Sequence, residues 1–483
     1  MSSTSILLII GAYFSILLLV SYVIGKKHSE NDAFFLGNKK SPWYVVAFGM
    51  IGSSISGVTF VSVPGMVRGI DMTYMQMVLG FLLGYAVIAF VLLPLYYRMN
   101  LISIYTYLEE RIGKRGYMTG TSFFLLARTI GSSARLYIAV LILQTYVFDE
   151  WNIPFAFTAC LFLVMIWLYT YRSGVRTIVW TDMIQTFCLL AALVLIIYQV
   201  ASQMGLDFSG VVSTISQSEH ARIFVFDDWF SKQNFFKQFL SGMFVTIAMT
   251  GVDQEMMQKN LSCKNIKDAQ KNMCWHGLSF VPLNFLFLCL GVLLVSFAAT
   301  NNILLPALPD DILPMLATQG YLGTLSLILF IIGIIAVTFS SSDSALTGLT
   351  TSVCVDLLDI KKHSEEKAKR IRMWVHWVIS VVFIIIILIF KALNNTSIID
   401  AIYIIASYTY GPLLGLFAFG LLTKAKTRDK WVPYVCVLSP VVCYLGNKIL
   451  FSQTGYQFGY EILIVNAGLV MLGLFLLRSK EQP

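Results

Sequence analysis

Apolar runs about 20 residues long recur from one end of this chain to the other, and that length is what a helix needs to cross the hydrocarbon of a bilayer. At that depth backbone polar groups find no water, so such runs fold as helices or closed barrels. Unbroken Leu, Ile, Val and Phe, without period-two alternation, selects the helix. Only 12% of the 483 residues are charged, about half the roughly 25% of a soluble domain. The sequence therefore predicts an all-α integral membrane protein. Hydropathy places about thirteen spans, near residues 4–24, 42–66, 72–97, 118–147, 153–171, 177–203, 236–257, 273–299, 321–357, 373–391, 398–422, 431–452 and 459–477. The first run ends in Lys26 and Lys27 without a small-residue cleavage site, so it reads as a retained helix. No loop is long enough for a separate domain, which makes 1–483 one transmembrane domain.

The loops alternate in charge. One side carries Lys26, Lys27, Lys39, Lys40, Arg98, Arg111, Lys114, Arg115, Arg172, Arg176, Lys259, Lys264, Lys267 and Lys271. It also carries the run Lys361 to Arg372, the group Lys424 to Lys430, Arg478 and Lys480. The other side has Arg68, Arg222, Lys232, Lys237, Lys391 and Lys448. The positive-inside rule makes the richer side cytoplasmic, with the N-terminus outside and the C-terminus inside. The net charge of +8 is then topology rather than a nucleic-acid surface. Eight scattered cysteines form neither a disulfide framework nor a metal spacing.

Few charges enter the spans: Arg128, Arg135, Asp182, Asp253, Glu255 and Asp343. A charge there is costly, so each is either a functional group or half of an ion pair that fixes helix packing. Two spans carry helix-breaking sequence at mid-depth. One is GMIGSSISGVTFVSVPG, Gly49–Gly65; the other is TIAMTGVDQEMMQKN, Thr246–Asn260. Irregular backbone survives there only where it lines a cavity, and interrupted helices at matching places in two halves point to a transporter's site. Taking 42–66 as the first core helix makes 236–257 the sixth, which predicts two five-helix repeats of inverted topology.

A third segment, AVTFSSSDSALTGLTTSVCVDLL, Ala336–Leu358, fills a span with hydroxyls. On a helix Ser340, Ser341 and Ser344 share a face, with Asp343 to one side. Two hydroxyl oxygens plus carbonyls freed by an unwound helix make an oxygen pocket without paired carboxylates. That pocket suits a hard monovalent cation, and sodium fits best.

With these residues the chain resembles the sodium/solute symporter family of sodium–glucose, proline and sialic acid transporters. The resemblance runs along the whole chain through DAFFLGNKKSPWYVVAFGMIGSSIS, WTDMIQ (Trp180–Gln185), DQEMMQKNLSCKN, the serine-rich helix closing on CVDLL, and YGPLLGLFAFGLLTK (Tyr410–Lys424). It implies the leucine-transporter-like 5+5 inverted-repeat fold: an extra N-terminal helix at 4–24, repeats at 42–203 and 236–422, and two C-terminal helices at 431–477. The family's main sodium site uses carbonyls of the broken first core helix with a carbonyl and two hydroxyls of the eighth. That implies Gly52, Ile55, Val337, Ser340 and Ser341 here, Val337 through its carbonyl alone. A second sodium, where family members bind one, uses the aspartate of WTD and a further eighth-helix oxygen, which implies Asp182 with Asp343 or Ser344. Substrate contacts would fall on Ser54, Ser56, Thr59, Gln76, Arg135, Asp253, Gln254 and Glu255. Arg128 and Arg135, seven apart, share a face of the third core helix, and which of them meets substrate stays open. A buried guanidinium suits a carboxylate bidentately. The seventh-helix lysine of the sugar transporters has no counterpart in LSFVP around Ser279 and Phe280, which argues against a glucose-type site.

The expectation is a sodium-coupled symporter in the plasma (inner) membrane, importing a small polar solute by alternating access. The solute is a carboxylated sugar such as sialic acid, or else a neutral sugar, an amino acid, a vitamin or a small anion. Sodium, the solute and the bilayer are the expected partners, with no cofactor, nucleic acid or required protein partner. A channel would need a continuous polar pore. A membrane enzyme or sensor would need a catalytic set or a signalling domain, and His220, His276 and His363 form no cluster in the sequence. The chain is expected not to be an enzyme.

Overall fold

The computed structural model describes residues 3–25, 35, 39–170, 175–393 and 398–478. Lys26, Lys27, Arg172 and Lys480, named above as loop charges, lie outside the described residues, as do the side chains of Arg176 and Lys361. The apolar runs fold as helices. Among the described residues extended pairing is limited to two isolated bridges, Ser41 with Cys263 and Thr427 with Arg478.

In chain order the principal helices are α1 (Ser3–Gly25), α2 (Trp43–Ser54), α3 (Gly57–Ile70), α4 (Tyr74–Val87), α5 (Lys114–Leu143), α6 (Phe155–Thr170) and α7 (Val175–Gln203). After a connecting segment that holds one short helix, Phe208–Ser216, come α8 (Phe235–Thr246), α9 (Gln254–Leu261), α10 (Ile266–Thr300), α11 (Gly323–Ser352), α12 (Glu365–Leu393), α13 (Ile398–Leu422), α14 (Val432–Thr454) and α15 (Ile462–Leu476). Among the described residues, nine helical stretches are long and apolar enough to cross a membrane, ten if the bent pair α8–α9 counts as one.

Both predicted interruptions are present. Between α2 and α3, Ile55 (φ −80°, ψ 111°) and Ser56 (φ −95°, ψ 169°) take extended backbone. Between α8 and α9 a π turn, Ile247–Gly251, leads to Asp253 in extended backbone, and the two helices meet at 66°. In each case the residue that restarts the helix is a strong N-cap. Ser56 accepts from Thr59 N, and Asp253 accepts from Glu255 N and Met256 N.

The packing pairs α4 with α8, α3 with α10, α7 with α11, α5 with α13, and also α5 with α11 and α4 with α10. The α4–α8 seam is made by glycine: a Cβ on Gly80 would overlap the Phe239 carbonyl oxygen, and one on Gly242 that of Met77. Small residues at a membrane-helix seam let backbones approach, and dispersion rather than hydrophobic burial then holds them. One large apolar core runs through all of these helices, beside a small second cluster of Phe35, Cys354, Ile360 and Ala368. The two interruptions are thereby held near the centre of the bundle, with α11 alongside.

Candidate functional site

At the first interruption, the amides that would close the α2 helix are diverted into the cap of α3. Gly52 and Ile55 would offer their carbonyls to the N–H groups of Ser56 and Thr59, four residues on. Ser56 N instead donates to Thr59 Oγ1 (3.4 Å), and Thr59 N to Ser56 Oγ (3.4 Å). The carbonyls of Gly52 and Ile55 are thus released from helical pairing. Gly52 also has no room for a side chain: its N–H donates to Thr186 Oγ1 on α7 (3.0 Å), and a Cβ would overlap that same oxygen. The break rests against α11, where a Cβ on Gly57 would lie 3.0 Å from Thr338 Oγ1 and 3.8 Å from Val337 Cγ1. Ser53 Oγ and Ser340 Oγ are 3.4 Å apart. Val337, Ser340 and Ser341 are all buried there, and Ser341 Oγ donates to the Thr338 carbonyl (3.2 Å).

Ser340 Oγ donates to Asp182 Oδ1 (2.6 Å), so its hydrogen points at the carboxylate and its lone pairs stay available. Asp182, fully buried on α7, also accepts from Ser53 Oγ (3.1 Å) and from Lys259 Nζ (2.6 Å). Lys259 donates to Ser53 Oγ as well. This corrects the placement of Lys259 among cytoplasmic loop charges: it is 3% exposed, near the end of α9, and ion-paired in the protein interior. The reason is helix geometry. At 1.5 Å per residue Lys259 stands only about 9 Å beyond the interruption, too near to reach a membrane surface. Asp343 and Ser344 lie apart from the lysine's own bonds: Asp343 Oδ2 accepts from Tyr169 Oη (2.8 Å), and its Oδ1 from Ser344 Oγ (3.1 Å).

The second interruption is built differently. Its carbonyls are taken by tyrosines: Tyr96 Oη donates to Gly251 O (2.9 Å) and Tyr105 Oη to Val252 O (3.1 Å). Asp253 Oδ2 accepts from Tyr410 Oη of α13 (2.6 Å). Arg128 of α5 reaches both acids, pairing with Glu255 and standing 3.6 Å from Asp253 Oδ2. Arg135, two turns further along α5, has no carboxylate within ion-pair distance among the described residues.

Between the two interruptions lies a cavity of ≈ 90 Å³, lined by Ser54, Ser56, Thr59, Arg128 and Arg135 together with Phe81, Tyr85, Met249, Phe280 and Tyr403. A single water needs roughly 10–15 Å³, so a small solute fits. Of the sequence-predicted contacts, Ser54, Ser56, Thr59 and Arg135 face this cavity, whereas Asp253 and Glu255 sit behind Arg128. Gln76 and Gln254 do not line it. Gln76 bonds backbone at Thr73, Val225 and Gln233, and Gln254 bonds backbone at Ile102 and Ile104, because each amide caps an irregular loop instead. Tyr85, absent from the sequence reading, lines the cavity, and His276, read there only as belonging to no cluster, backs it: His276 Nε2 is 3.2 Å from Ser54 Oγ and 3.2 Å from Tyr85 Oη. A larger vestibule of ≈ 690 Å³ lies beyond Tyr74, reaching Asp310, Lys232 and Lys448. Tyr74 Oη and Tyr403 Oη, 3.0 Å apart, stand between the two spaces.

Residues 34–429 match the model of a protein family described as the sodium:solute symporter family. Across 97% of its length the chain is 23% identical to a sodium/sialic acid symporter of Proteus mirabilis, covering 94% of that protein. It is 25% identical over 437 residues to the human sodium/iodide cotransporter, covering 85% of this chain and 65% of that one. Among solved structures, the substrate-bound outward-open state of a Na⁺-coupled sialic acid symporter superposes with a TM-score of 0.82 at 20% identity, over 98% of this chain and 97% of that one. The closed conformation of Mhp1, a nucleobase-cation-symport-1 family transporter, gives 0.58 at 12% identity, over 91% and 93% of the two chains.

Proposed function

This chain belongs to the sodium:solute symporter family, and we propose how it carries out sodium-coupled symport: one sodium ion bridges the first interruption to α11, and a small carboxylated solute binds in the adjoining cavity. Sodium is held by the carbonyls of Gly52, Ile55 and Val337 and the hydroxyls of Ser340 and Ser341. The solute lies against Ser54, Ser56 and Thr59, with its carboxylate on Arg135. The single observation that carries this reading is the difference between the two interruptions. The carbonyls released at Gly251 and Val252 are already met by tyrosine hydroxyls, whereas those of Gly52 and Ile55 lose their helical amides to the cap of α3. The second break is closed by the protein itself; the first is suited to a cation.

The charge pattern on α5 supports the choice of solute. Arg128 is matched by two acids and Arg135 by none among the described residues, so the cavity presents a cation to whatever enters. Sialic acid, iodide and monocarboxylates, named for relatives of this chain, are all anions. Sodium joining the α2–α3 break to α11 closes the outer path, and rocking of the bundle then opens the inner one. The vestibule beyond Tyr74 is the outer path in this reading.

The topology proposed with it has thirteen spans. Joining α2 to α3 and α8 to α9, separating α4, and adding α6 and α15 to the longer helices gives that number. An outside N-terminus, an inside C-terminus and the plasma membrane complete it. Two inverted repeats at 42–203 and 236–422 are supported by the packing. Exchanging the halves turns the α4–α8 neighbour pair into α10–α2, and α5–α13 into α11–α7.

A ligand that binds only the folded state raises its stability by RT ln(1 + [L]/Kd). Sodium chloride should therefore raise the melting temperature of the purified protein above that in potassium chloride of equal ionic strength, and the double change Ser340→Ala with Ser341→Ala should remove the difference. Equal melting temperatures in the two salts would overturn the sodium site.

A further inference from the structure

Around Asp182 four elements converge, and a lysine from one of them is already at the centre. Asp182 comes from α7, Ser53 from α2, Ser340 from α11 and Lys259 from α9. The Lys259 ammonium donates to Asp182 Oδ2 (2.6 Å) and to Ser53 Oγ, while Ser340 Oγ donates to Asp182 Oδ1 (2.6 Å). Gln185, with its amide oriented to satisfy both groups, also donates to Asp182 Oδ1 (3.2 Å). A carboxylate and two hydroxyls buried together form the donor set of a hard monovalent cation, and here that set is directed at a covalently tethered one.

We propose that the Lys259 ammonium is a built-in cation filling the second cation site, the one formed by Asp182, Ser53 and Ser340, so that the chain binds a single sodium ion in each cycle. The proposal rests on the main-site reading above. The physical argument has three parts. A sodium ion at this carboxylate would need the same oxygens that Lys259 bonds, and two cations sharing Asp182 in a site closed to water repel strongly. The ammonium carries a full charge on a stem anchored in α9, so it compensates Asp182 without drawing on any gradient. Unlike an ion, it cannot dissociate into the cytoplasm, so it contributes a permanent link between the interrupted halves and no driving force. A chain built this way concentrates its solute less steeply than one with two mobile ions, but it also has one fewer ion to release before resetting.

The first interruption is left to the mobile ion. Ser340 serves both places in this reading: its hydrogen goes to Asp182, which leaves its lone pairs free for an ion at the released carbonyls of Gly52 and Ile55. Lys259 thereby orients a ligand of the main site through Asp182, and is itself a positioning residue there.

The test uses ²²Na⁺ alone as probe, on the purified full-length protein without solute. Saturable binding should reach one ion per chain with a Hill coefficient near 1. In Lys259→Ala the count should rise to two with a steeper isotherm, and adding Asp182→Asn to that variant should return it to one. Two ions bound by the unmodified chain, or one bound by a monodisperse Lys259→Ala, would overturn the built-in cation. If Lys259→Ala does not yield folded protein, the count on the unmodified chain decides alone, one upholding the proposal and two ending it. No saturable sodium in the unmodified chain would instead remove the main-site reading, and this inference with it.

Discussion

Arg128 and Arg135 are the same residue type on the same helix, two turns apart, yet they do different work. Arg128 is held between Glu255 and Asp253, and Tyr410 holds Asp253 from the other side. Removing Arg128 leaves two buried carboxylates uncompensated, a loss of about 3–5 kcal/mol where one partner of a buried pair is deleted. Arg128→Ala should therefore lower the melting temperature sharply or abolish expression. Arg135 faces the cavity and pairs with no acid among the described residues, so Arg135→Lys should leave the fold intact. It should raise the KM for a carboxylated solute about tenfold or more, because an ammonium cannot reproduce bidentate contact, while sodium affinity measured without solute barely moves. An unchanged KM in Arg135→Lys would end the carboxylate assignment. The sequence alone placed both arginines on one face; only the partners, which come from a helix more than 100 residues away, separate them.

At the scale of elements, the interruptions were legible because glycine beside serine, or glycine two residues before aspartate, is poor helix-continuing sequence and good capping sequence. The hydroxyl face of α11 was legible from its spacing. What closes each interruption was not. The tyrosines that cap the second break, Tyr96 and Tyr105, precede the carbonyls they bond by 155 and 147 residues, and nothing local to them signals the contact. Lys259 was misread for a related reason: a lysine after an apolar run resembles a loop charge, and only the break at Val252 shows that its helix starts deep. Gly52 gives the element-scale prediction. Its missing side chain lets α2 meet Thr186 of α7, so Gly52→Ala should cost roughly 1–3 kcal/mol through overpacking and displace the carbonyl proposed to bind sodium. Thermal unfolding and sodium half-saturation should both worsen, and adding Thr186→Ala should recover part of each. Full sodium affinity in Gly52→Ala would show that the carbonyl lies elsewhere.

For the whole molecule, two spaces of very different size are separated by a pair of tyrosine hydroxyls. The wider one is open beyond Tyr74, and the narrower one lies between the two interruptions. The proposed inverted repeats would give the bundle two related arrangements to move between, which alternating access requires. In the proposed arrangement, coupling follows from a sodium ion placed between a break in one half and a helix of the other. The most direct measurement is accumulation of radiolabelled sialic acid and a panel of small carboxylates in proteoliposomes under an inward sodium gradient. Parallel vesicles would carry a potassium gradient or the variant with Ser340→Ala and Ser341→Ala. At least one carboxylate should accumulate above its equilibrium level in sodium with the unmodified protein, and in neither control. Accumulation that is as fast in potassium, or as fast in the serine variant, would contradict coupling at this site, and so would the failure of every carboxylate to accumulate in sodium.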